Sequence, residues 1–95
     1  MSIEAILAER GKRYGVFMSQ ADITQDLKEV MRQFQPNNDG CTPFHHLAVD
    51  QREALEMIAH KIGRILNGDP NYSDSWHDIA GYAKLVADRL DGVQR

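Results

Sequence analysis

KIGRILNGDPNYSDSWHDIAGY, Lys61 to Tyr82, decides the fold of this 95-residue chain. It reads as the end of one helix, a tight polar loop and the start of a second helix. Asn67-Gly68 forms a C-terminal cap, and Pro70 forbids continuation because proline lacks the N–H that another turn needs. Ser73 or Asp74 caps the helix that follows. Upstream, Ala54, Leu55, Ile58, Ile62, Ile65 and Leu66 recur at helical spacing; downstream, Trp76, Ile79, Ala83, Val86, Ala87 and Leu90 do the same and are expected to face inward. Two such helices joined by about seven residues pack antiparallel as an αα-hairpin.

Towards the N-terminus the same period continues. Ile3, Ile6, Leu7 and Tyr14 share a stripe that Gly15 stops, with Gly11 weakening its last turn. Ile23, Leu27, Val30, Met31 and Phe34 form a second stripe, capped by Ser19 or Asp22 and ended by Pro36-Asn37-Asn38. PNNDGCTP, residues 36–43, is an exposed loop, and either Thr42-Pro43 or Asp50 opens the next helix. Strand signals are almost absent. The expectation is an all-α fold: one domain spanning 1–95, a compact array of about four helices near 2–14, 20–35, 44–67 and 74–91.

Fourteen acids against eleven bases give a formal charge of -3, which argues against a long nucleic acid as partner. The lone Cys41 excludes an intramolecular disulfide and fits a reducing compartment. No apolar run spans a membrane, and Glu4, Glu9 and Arg10 interrupt any signal peptide, so a cytoplasmic setting is expected. Cys41, His45 and His46 do not reproduce the spacing of a zinc site.

The corner between the last two helices carries more directional chemistry than a turn needs. Lys61 and Arg64 lie one helical turn apart, where they grip a phosphate or simply offset the helix dipole. Asp74 and Asp78 repel one another unless Lys61, Arg64 or a divalent metal intervenes. Tyr72 and Trp76 offer rings for stacking a base, although Trp76 also falls in the apolar stripe, and the Tyr82 hydroxyl needs a partner if buried. Glu53, Glu56, His60 and Arg64 lie opposite the apolar face of the third predicted helix. Gly81 costs about 1 kcal/mol relative to alanine inside a helix. With Leu85 on the same face, it points to close approach by another helix, a ligand or a partner chain, and hence to a homo-oligomer.

The stretches AILAERGKRYG (5–15) and ALEMIAHKIGRILNGDPNYSDSWHDIAGYAKLV (54–86) resemble a family of small phage and prophage proteins. The matching positions are Glu9, Arg10, Tyr14 and Gly15, then Lys61, Arg64, Asp74, Trp76, Asp78, Gly81 and Tyr82. The resemblance implies a phage origin and a helical fold, and it carries no reaction with it. A more distant likeness is to the all-α nucleotide pyrophosphohydrolases of the MazG type, which hold magnesium between paired carboxylates on two helices. Glu53-Ala-Leu-Glu56 is similar to the first of those motifs; Asp74 and Asp78, four apart, depart from the second.

The leading expectation is a non-enzymatic binder of a phosphorylated nucleotide, using Lys61, Arg64, Tyr72, Asp74, Trp76, Asp78 and Tyr82 and needing no cofactor. Sequestration of a host defence signal is the use such a phage protein suggests. The alternative is a magnesium-dependent pyrophosphohydrolase with Glu53, Glu56, Asp74 and Asp78 as its acidic quartet. A third reading is an interaction module for a host protein.

Overall fold

A computed structural model describes residues 2–95, and the described chain is all-α. Helix α1 spans Ile3–Tyr14, α2 Phe17–Gln33, α3 Pro43–His46, α4 Val49–Asn67 and α5 Ser73–Leu90. The Ser2 hydroxyl caps α1 by accepting from the Ala5 N–H at 3.1 Å. Among the described residues, no helix is long and apolar enough to cross a membrane.

Helix α4 is the centre of the arrangement, with α2 on one side, α5 on the other and α1 against α2 and α4. Two ion pairs set α5 antiparallel to it. Asp50, at the start of α4, accepts two bonds from Arg89 near the end of α5, at 2.7 and 2.8 Å. Further along, Lys61 Nζ meets Asp78 Oδ2 at 2.9 Å. These pairs fix the rotation of α5, so Ser75 is buried while Trp76 and Leu90 are exposed. The inward placement expected for Trp76, Ala83, Ala87 and Leu90 is therefore corrected, all four being exposed.

On the other side, Gly63 sets the approach of α2. A Cβ there would collide with Thr24 Oγ1, so the missing side chain admits Thr24 and Gln20, both buried. This turns the polar edge of α2 towards α4 and leaves Val30 and Phe34, expected in the core, exposed. The buried hydrophobic side chains among the described residues are only Phe44, Ala54 and Ala59.

Three boundaries differ from the sequence reading. The helix expected over 44–67 is two helices. Leu47 and Ala48 are extended, and the Gln51 side chain accepts from the Ala48 N–H at 2.9 Å, restarting the helix. Both expected starts, Thr42-Pro43 and the region of Asp50, are thus used. Helix α2 begins at Phe17 rather than at residue 20, after a turn made by Gly15 at φ 77°, and no side chain caps it. Helix α5 follows an Asp69-centred turn, with the Asn71 N–H on Asp69 Oδ1 at 2.9 Å; Tyr72 occupies the cap position, so neither Ser73 nor Asp74 caps it.

Candidate functional site

The α1–α2 turn and the α4–α5 turn meet backbone to backbone. Asn67 Nδ2 donates to the carbonyls of Tyr14 and Val16, both at 2.8 Å, and the Asp69 N–H donates to the Arg13 carbonyl at 2.6 Å. Two glycines make this possible. A Cβ on Gly15 would strike the Asn67 carbonyl, and one on Gly68 would strike the Arg13 carbonyl. Gly68 is the C-cap of α4, as expected, but with φ -134° it lies outside the left-handed region, so what requires glycine there is the close approach of Arg13.

This junction brings α1 into the corner. Arg13 donates to the Tyr72 hydroxyl at 2.9 Å, and that hydroxyl donates to Asp74 Oδ2 at 2.7 Å. The bond to Asp74 raises the Tyr72 hydroxyl above its ordinary pKa. Glu9 closes the other end of the chain on Arg13 at 2.9 Å. The rings and guanidiniums alternate: Arg64 lies over Tyr14 at 4.3 Å, Tyr14 meets Tyr72 edge-on at 6.2 Å, and Arg13 lies over Tyr72 at 4.5 Å.

Lys61 and Arg64 part company. Lys61 is buried against Asp78 between α4 and α5. Arg64 turns to the other side of α4, where it lines a recess of about 490 Å³ with Arg10, Tyr14, Phe17 and Gln20. No carboxylate lines that recess. Neither Arg10 nor Arg64 takes a carboxylate partner among the described residues, and Arg64 Nε is buried without a hydrogen-bond partner. Beside the recess, His60 sits 3.5 Å from Gln20 Nε2. Burial, and then the charges of Arg64, Lys61 and Lys28, push the His60 pKa below its ordinary value.

The remaining expected residues are dispersed. Trp76 is exposed and donates its indole N–H to the Pro70 carbonyl at 2.9 Å. Tyr82 lines a separate groove on α5 with Gly81 and Leu85. Glu53 and Glu56 line a depression with Arg32, Arg52 and His45, away from Asp74 and Asp78, which hold to Tyr72 and Lys61. Among the described residues, no three His, Cys, Asp or Glu side chains gather as a metal-holding group.

Arg13, Phe17 and Gln20 join the corner without any signal in the local reading. Arg10, Tyr14 and Gly15 fall in the quoted block 5–15, but nothing in the sequence set that block beside the hairpin. No protein-family model, curated protein or solved structure matches the chain.

Proposed function

We propose that this protein binds a small phosphorylated nucleotide in the recess between α1, the start of α2 and the end of α4, and holds it without chemical turnover. One observation carries the reading: two guanidiniums free of carboxylates among the described residues, Arg10 and Arg64, line a recess together with Tyr14 and Phe17. Arginine forks bond phosphate oxygens in pairs, and charge-assisted bonds are roughly twice as strong as neutral ones. The rings supply stacking area for a base. A volume of about 490 Å³ lies within the range of small-ligand sites.

The different partners of Glu53 and Glu56 on one side, and of Asp74 and Asp78 on the other, support holding rather than hydrolysis. Sequestration of a host signalling nucleotide is the use that the resemblance to phage proteins adds.

Calorimetric titration with linear and cyclic nucleotides tests this. Wild type is expected to bind at least one, and Arg64→Ala and Arg10→Ala each to weaken it more than about tenfold with the helical spectrum intact. Silence across the panel would overturn the reading and favour a protein partner.

A further inference from the structure

We propose that α5 carries a self-association surface, in which Leu85 of one copy fills the notch left by Gly81 of another. The single chain exposes too much surface for its mass. Its accessible area is 6725 Å², whereas a folded monomer of 10.8 kDa exposes about 5500 Å². The radius of gyration, 15.7 Å, compares with about 12 Å for a close-packed domain of this length. A stable two-chain interface removes roughly 800 Å² from each partner, and the excess here exceeds that. A second copy is the occupant that would bring the chain back to the expected balance.

The location follows from α5. Gly81 has nothing within 4 Å of the position a Cβ would occupy, so no part of its own chain needs it to be glycine. Leu85, one turn further along, is 51% exposed. Both line a groove of about 420 Å³ that also includes His77, Lys84 and Asp88.

A hole and a knob one turn apart on one helix face are self-complementary. A two-fold axis midway between them sets each copy's Leu85 over the other's Gly81, with the helices antiparallel. The flanks suit a like partner, because they carry both signs of charge rather than one. Asp88 is already held by Lys84 at 3.1 Å and Arg95 at 2.8 Å, so closure does not bury an unpaired carboxylate there. Neither Gly81 nor Leu85 lines the Arg10–Arg64 recess, so this surface stands or falls independently of the ligand.

Sedimentation velocity at micromolar concentration, with circular dichroism on every variant, provides the test. Wild type is expected to sediment as a dimer or larger. Leu85→Asp is expected to yield a helical monomer, and Gly81→Leu and Leu85→Ala each to weaken association about tenfold or more. The double variant Gly81→Leu/Leu85→Ala, which exchanges knob and hole, is expected to recover association. A monomeric wild type would overturn the proposal and leave the face to a different partner. An assembly unchanged by Leu85→Asp would overturn it as well, by moving the interface elsewhere.

Discussion

Lys61 of α4 and Asp78 of α5 form an ion pair at 2.9 Å in which the two partners are unequally placed: the Lys61 side chain is 10% exposed and that of Asp78 48%. The ammonium is enclosed between the helices, while the carboxylate keeps contact with water. Removing one partner is therefore not equivalent to removing the other.

Asp78→Ala leaves a buried ammonium without its counter-charge and is expected to cost about 1–3 kcal/mol. Lys61→Met keeps the apolar stem and leaves Asp78 to water, so its cost is expected to stay within about 1 kcal/mol. Urea unfolding of the two variants checks the order. Equal losses would mean that the enclosure of Lys61 plays no part in stability.

The glycines are expected to divide by sign. Gly11 lies inside α1 with open space around it, so Gly11→Ala is expected to stabilise by about 0.5–1 kcal/mol. Gly15→Ala meets both the Asn67 carbonyl and a φ of 77°. Gly68→Ala meets the Arg13 carbonyl, and backbone cannot step aside as a flexible side chain does. Each of the latter two is expected to destabilise by about 1–3 kcal/mol. Thermal melts of the three variants read this directly.

His60 contributes a pH dependence whose sign follows from its surroundings. Burial and the nearby Arg64, Lys61 and Lys28 lower its pKa from the ordinary 6.5. As pH falls through that value the unfolded chain takes up the proton before the folded chain does, so stability declines on the acid side. His60→Gln removes this contribution. Between about pH 7.5 and about pH 5.5, wild type is expected to lose more unfolding free energy than the variant. Equal losses in urea titrations would contradict the effect assigned to burial and to these cations at His60.

The sequence revealed most where local backbone chemistry decides. Asn67 to Pro70 stop one helix whatever surrounds them, and the αα-hairpin follows from that. The break at Leu47-Ala48 lacked any glycine or proline to mark it. Helix rotation was less legible still, because Gly63 and the Lys61–Asp78 and Asp50–Arg89 pairs override the apolar stripes of α2 and α5. For the site, Arg64 was visible as a free cation on α4, but its neighbours were not. The recess forms because Asn67 bonds the carbonyl of Tyr14, 53 residues earlier, and glycines needed for such contacts look the same in sequence as those that end helices.

In the proposed complex, Arg10 and Arg64 hold the phosphate of a nucleotide whose base lies on Tyr14 or Phe17. Side-chain NMR during titration with the nucleotide chosen by calorimetry tests it most directly. The Arg64 Nε–H, the Tyr14 and Phe17 rings and the His60 imidazole are expected to shift together and saturably. The His60 pKa is expected to rise, because an anion beside it favours the charged imidazolium. Absence of shifts at Arg64 and Tyr14 under saturating nucleotide, or shifts confined to α5 around Gly81, would contradict the account.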